Sequence, residues 1–112
     1  ILIVNPGGTN EKYLDGNIKY ATKMLYQDNK TIFSQIIDGK ADLMITDKIE
    51  VTLQTRKNPK LCSTLKEPLN YQEKGFMIGK EKAFQTVIDD WLKELITSGE
   101  LNKKFYTHLG RD

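Results

Sequence analysis

Two short stretches of this 112-residue chain carry residue types that could do chemistry. The first is Gly7, Gly8, Thr9 and Asn10, directly after an apolar run. Two adjacent glycines let a backbone approach a ligand closely, and the N–H groups of a helix starting there, reinforced by its dipole, suit an anion. Thr9 adds a hydroxyl donor and Asn10 an amide. The stretch has neither a P-loop lysine nor the G-x-G-x-x-G spacing, so a carboxylate suits it better than a phosphate. A tight strand-to-helix turn with a capping threonine and no ligand is the alternative. The second stretch holds Asp47 and Glu50, three apart at the start of a predicted helix and therefore neighbours on one face. The helix dipole favours Asp47 as an anion, whereas Glu50 lies further in. If apolar neighbours enclose it, its pKa rises and it can serve as a general acid, a role worth roughly 10²–10⁴ in rate. An N-cap aspartate beside an ordinary surface glutamate is the alternative here.

The elements that must position these groups follow from the hydrophobic pattern. Residues 1–4 form a β-branched apolar run and read as a buried strand, ended by Pro6 and the paired glycines. Thr9 or Asn10 can cap a short helix reaching about Leu14, with Glu11 in its first turn. A second strand is predicted over residues 19–26, with Met24, Leu25 and Tyr26 as its apolar part. Asp28 or Asn29 then caps a helix through Ile37, with Ile32, Phe33, Ile36 and Ile37 on one face and Gly39 suited to its left-handed C′ position. Residues 43–46 are the next strand, and Asp47 opens a helix toward Arg56. Strands alternating with helices predict an α/β layer with a largely parallel sheet, whose functional groups sit at the carboxyl ends of the strands. Residues 57–71, with Asn58, Pro59 and Pro68, read as irregular. Residues 75–79 read as a further strand, followed by a long amphipathic helix over 81–97 carrying Phe84, Val87, Ile88, Trp91, Leu92, Leu95 and Ile96. Ser98 and Gly99 stop it, and a last short helix aligns Leu101, Phe105 and Leu109.

Composition sets outer bounds. A chain of 12.9 kDa with 38% apolar and 29% charged residues fits one compact domain with an ordinary core. One cysteine excludes a disulfide scaffold or a cysteine metal cage within a single copy. Seventeen basic against fifteen acidic residues leave +2, with lysines scattered among acids, so no nucleic-acid partner is expected. No apolar run approaches the ~18–20 residues of a membrane span. His108 has no second histidine or cysteine near it, so it reads as a surface or helix-packing histidine and not as a metal ligand. No cofactor is expected, and no serine or cysteine nucleophile has a histidine partner. Trp91 reads as core within the apolar stripe of its helix. Cys62 reads as a buried thiol or as half of a disulfide with a partner outside this chain. Because Ile1 opens directly into a strand, the chain is expected to be a piece of a longer one.

Taken together, several of these motifs carry a family resemblance. The run Val4, Asn5, Pro6, Gly7, Gly8, Thr9, Asn10, Glu11 is the first. The run from Ile36 through Asp38, Gly39, Lys40, Ala41, Asp42 and Thr46 to Asp47, with Ile49 and Glu50, is the second. With Leu53, Gln54, Arg56, Pro59, Leu61 and Cys62 they closely resemble the C-terminal half of cyclohexadienyl dehydratases, and the likeness weakens after about Gly75. The strand, double glycine, threonine and helix, and the Gly-Lys-Ala-Asp element, are shared with non-enzymatic solute-binding proteins of family 3. Asn5 to Glu11 and the placing of Glu50 after Asp47 are what point to the dehydratases.

The resemblance implies one lobe of a type 2 periplasmic-binding-protein fold, a parallel-rich α/β sheet flanked by helices, plus C-terminal helices belonging to the other lobe. Residues 1–75 would be most of the second lobe, and 76–112 the return strand and helices of the first. It implies a periplasmic enzyme converting prephenate or arogenate to phenylpyruvate or phenylalanine by loss of carbon dioxide and water. Glu50 matches the general acid; Gly8, Thr9 and Asn10 match the segment holding a substrate carboxylate; Asp47 matches the residue that receives an α-ammonium group in amino-acid-binding relatives. The alternative is the amino-acid-binding component of an ABC importer, with a permease as partner. The 112 residues alone are expected to be inactive. Leaving Phe84, Val87, Trp91 and Leu95 in water would forfeit roughly 1.5–3 kcal/mol each, so the helix that carries them is expected to fold back on its own lobe or to be exchanged in a homodimer.

Overall fold

The computed structural model describes residues 1–110, and the chain divides into two compact units, Ile1–Glu67 and a second from Pro68 onward. The first unit is built on β1 (Leu2–Val4), whose three residues are fully buried. An apolar strand covered on both faces is what a parallel sheet needs at its centre. It is flanked by β2 (Lys23–Leu25) and β3 (Leu43–Met44), both parallel to it, in the order β2-β1-β3. Parallel neighbours require crossover connections, supplied by α1 (Thr9–Asn17) and α2 (Ile32–Ile37).

The two crossovers lie on opposite faces. Leu2 and Val4 point to the side covered by Leu14 of α1, with Ile18 and Ile45 packed around them. Ile3 points to the other side, against Ile32 of α2 and Ala41, with Met24, Phe33, Ile36 and Met44 completing the cluster. The sheet is therefore doubly wound about β1, which gives the expected α/β fold. A final helix, α3 (Lys48–Lys57), follows β3. It buries none of its residues, because Ile49, Val51 and Leu53 recur at every second position and cannot share one helical stripe.

Several boundaries differ from expectation for local reasons. Gly8, rather than Thr9 or Asn10, occupies the N-cap of α1, and the helix runs past Leu14 to Asn17. Residues 28–31 form a turn instead of the start of α2: the Asp28 carboxylate accepts hydrogen bonds from the Lys30 N–H at 2.9 Å and the Thr31 hydroxyl at 2.9 Å. An aspartate that bonds its own following backbone favours a turn over a helix. The end of α2 is as expected. Gly39 has φ +78°, its N–H donates to Ile36 O at 3.1 Å, and the Lys40 N–H donates to Gln35 O at 2.9 Å, which together form a Schellman cap.

The second unit contains α4 (Lys82–Thr97) and α5 (Glu100–Leu109), joined at Gly99 with φ +81°. The strand expected over residues 75–79 is not formed; that stretch has no ladder partner, and an extended segment without one is not a strand. Trp91, expected in a core, is 46% exposed, and its ring instead lies tilted against Phe76 at 6.1 Å between centroids. Phe84 and Val87 are exposed with it, because a two-helix hairpin can shelter only one side of α4. Ile88, Leu92 and Leu95 are the half-buried positions of that helix. Cys62 is exposed, which corrects the expectation of a buried thiol. Among the described residues no helix is long and apolar enough to cross a membrane.

Candidate functional site

The order β2-β1-β3 creates a topological switch point. The chain leaves β1 toward one neighbour through α1, and the other neighbour, β3, leads into α3. At such a point the carboxyl ends of two adjacent parallel strands open into helices that diverge, leaving a crevice between them. The register Ile3↔Met44 sets β1 and β3 side by side, so the residues that follow each strand emerge at the same edge. Those residues are the two stretches singled out by their chemistry, about forty positions apart in sequence.

The first stretch is held from three directions. Tyr26 N–H donates to Val4 O at 3.0 Å, and the Asn5 side-chain amide donates to Tyr26 O at 3.0 Å, fixing the end of β1 to the chain leaving β2. Gly7 takes the left-handed conformation, φ +79°, that an L side chain resists. Its N–H donates to Glu11 Oε1 at 2.9 Å. Gly8 is extended, exposed, and has nothing within 4 Å of where a Cβ would stand. The first α1 hydrogen bond runs from Lys12 N–H to Gly8 O at 3.2 Å, so the N–H groups before it have no acceptor within the helix. Thr9 is exposed at the first helical position and Asn10 is half-buried at the second.

The second stretch begins at Asp47, the N-cap of α3 by position, whose side chain does not cap the helix. Val51 N–H closes the first turn onto Asp47 O at 3.0 Å. Glu50 is the third residue of α3, on the same face as Asp47. It is half-buried rather than enclosed, and its Oε1 accepts a hydrogen bond from Gln54 Nε2 at 2.9 Å one turn on. The i, i+4 spacing of a glutamate and a glutamine was the signal for this partner.

A charged cluster behind the first stretch escaped the reading of the sequence. Lys23 Nζ lies 3.2 Å from Glu11 Oε2 and 2.8 Å from Asp15 Oδ1. The Gly7 N–H, and after it Lys23, hold the Glu11 carboxyl below its ordinary pKa. Asp15, and after it Glu11, hold the Lys23 ammonium above its own. The spacing of Glu11 and Asp15, one turn apart in α1, could have flagged the pair; Lys23 joins them only through the β1–β2 pairing. An open recess along α5, lined by Gly99, Asn102, Lys103, Tyr106 and Thr107, lies among none of these groups. His108 is exposed on the same helix.

A parallel sheet wound on both faces, with two helix starts at one switch point, defines a doubly wound α/β lobe. Within that class the chain is similar to cyclohexadienyl dehydratases. It is 47% identical over 103 residues to the cyclohexadienyl dehydratase of Pseudomonas aeruginosa, an alignment covering 91% of this chain and 38% of that protein. The crystal structure of an ancestral cyclohexadienyl dehydratase matches with a TM-score of 0.58 at 35% identity, covering 98% of this chain and 46% of that one. The fold thus matches part of the fold of these enzymes, and the chain spans less than half the length of the relatives it matches. No protein-family model matches the chain.

Proposed function

We propose that this chain forms part of a periplasmic cyclohexadienyl dehydratase, acting on prephenate or arogenate. The reaction expels carbon dioxide and a ring hydroxyl. The electron pair of the breaking carboxylate bond enters the ring, the ring becomes aromatic, and the hydroxyl departs as water once protonated. Glu50 supplies that proton. Its hydrogen bond from Gln54 occupies Oε1 and fixes the carboxyl group, which leaves Oε2 to carry the proton toward the crevice. The Gly8 backbone with Thr9 and Asn10 anchors a substrate carboxylate, and Asp47 stands beside the acid where an α-ammonium group, present in arogenate and absent from prephenate, would be received.

The observation that supports this reading best is the adjacency of the two helix starts at the carboxyl ends of β1 and β3, one offering N–H donors and the other a carboxyl group. The similarity to cyclohexadienyl dehydratases runs through both. The test is phenylpyruvate formation from prephenate by the full-length protein carrying this sequence, as wild type and as Glu50→Gln. The amide cannot donate an acidic proton, so kcat is expected to fall by at least ~10² with KM little changed. Turnover that survives the substitution removes the acid from Glu50. A wild type that binds amino acids and turns over no prephenate selects a transport receptor.

A further inference from the structure

The glycine turn is conformationally the loosest part of the site, yet it must present its N–H groups in one arrangement. Gly7 and Gly8 each have more backbone freedom to lose than any other residue, and a ligand that had to order them on arrival would bind more weakly for it. The structure contains a device that does this in advance. Glu11, in the first turn of α1, reaches back past the N-cap, and its Oε1 accepts the Gly7 N–H at 2.9 Å. In the common capping box the glutamate returns to the N-cap N–H itself. Here it reaches one residue further, to Gly7, and so holds the turn before the N-cap.

The same carboxylate carries a charge that would repel a substrate carboxylate bound at the helix start. Lys23 answers this. Its ammonium group sits on Glu11 Oε2, the oxygen that does not hold Gly7, and is itself held by Asp15. The Glu11 side chain is only 19% exposed, whereas Lys23 is 32% and Asp15 53% exposed. We propose that Glu11 is a positioning residue, whose carboxylate, clamped by Lys23, locks the turn at Gly7 and Gly8 in the shape that presents α1 N–H groups to a substrate carboxylate. The inference rests on the dehydratase reading for its substrate, while the lock is a property of the unliganded chain.

Two readouts on the full-length protein test it. Glu11→Ala removes the acceptor; Glu11→Gln keeps an oxygen at the same place. In prephenate turnover, Glu11→Ala is expected to raise KM by about tenfold, the weight of one hydrogen bond to a charged group, with kcat within about twofold of wild type. Glu11→Gln is expected to recover most of that loss. A merely structural role would lower the folded fraction, and so kcat, in place of KM. In the unliganded protein, hydrogen exchange at the Gly7 amide is expected to quicken by about tenfold in Glu11→Ala and to return toward wild type in Glu11→Gln. Unchanged Gly7 exchange in Glu11→Ala, unchanged KM, or a Glu11→Gln variant as poor as Glu11→Ala would each overturn the proposal. A wild type inactive on prephenate defeats the dehydratase reading alone, and Gly7 exchange still decides whether the lock exists.

Discussion

Alanine at each of the two adjacent glycines separates what the fold needs from what the ligand needs. Gly7 has φ +79°, a region where an alanine costs about 1–2 kcal/mol, so Gly7→Ala is expected to destabilise the protein by that amount. Gly8 is different. Its φ of −100° and ψ of −177° are open to any residue, and no atom lies within 4 Å of the added methyl group. Replacing glycine by alanine there reduces the freedom of the unfolded chain, worth about 0.4–1 kcal/mol in favour of folding. Alanine is a poorer N-cap than glycine by about 0.5–1.5 kcal/mol, which acts in the opposite sense. The two nearly cancel, and Gly8→Ala is expected to unfold in urea within about 1 kcal/mol of wild type.

In the unliganded chain the glycine at position 8 serves as the N-cap of α1; under the proposed function its open side also admits a ligand. A methyl group on the open side of the turn would hold a carboxylate off the α1 N–H groups. Losing one or two charge-assisted hydrogen bonds would raise KM for prephenate by about 10–100-fold. The assay pairs urea unfolding with steady-state kinetics on the same full-length preparations. A Gly8→Ala variant with wild-type KM would show that no ligand approaches this backbone, and the anion-site argument would fall with it. If Gly7→Ala were as stable as wild type, the left-handed turn would be the faulty premise.

The other predictions concern the scaffold. Ile3 is fully buried between Ile32 and Ala41, so Ile3→Ala is expected to cost about 2–5 kcal/mol and Ile3→Val about 0.5–1.5 in urea unfolding. Equal losses for the two would show that the site is not tightly packed. The carboxyls of Glu11 and Asp28 are held below their ordinary values of 4.5 and 3.8, the first by Gly7 and then Lys23, the second by Lys30 and then Thr31. A depressed folded-state pKa gives stability that is present above the ordinary value and is lost as pH falls through the folded one, so melting temperature should drop below pH 4.5. The double variant Glu11→Gln, Asp28→Asn should flatten that drop, and an unchanged acid limb would refute the assignment. Lys23, held above 10.5 by Asp15 and Glu11, makes its contribution below that value and loses it only as pH rises through its folded pKa.

Much of the first unit was legible because the physics that builds it is local. Residues 1–4 are continuously apolar and β-branched, and only a strand buried on both faces uses such a run. Gly39 follows an apolar helical face and sits where a left-handed cap is needed. What was misread depends on partners far away or on side chains acting on their own backbone. Asp28 spends its carboxylate on Lys30 and Thr31, which turns the expected first turn of α2 into a bend. Residues 75–79 have the composition of a strand and no partner to pair with, and composition cannot supply one. Glu50 stands on α3 as expected and is half-buried there, with Gln54 one turn on as its hydrogen-bond partner. Lys23 and Glu11 lie twelve residues apart and meet only because β2 returns beside β1.

The juxtaposition of the two helix starts depends on the register of β3 more than on any residue within them. Met44 packs with Ile3 and Ile32 on the α2 face, and Ile45, the next residue, packs with Leu2, Val4 and Leu14 on the α1 face. Because side chains alternate along a strand, a slip of one residue would exchange these two faces, and both clusters would have to repack. The alternation therefore fixes the height at which the chain leaves β3 relative to β1. That height sets where α3 begins beside the start of α1. Asp47 and Glu50 reach the edge that holds Gly8 and Thr9 because two small apolar clusters, one on each face of a three-stranded sheet, accept a single register.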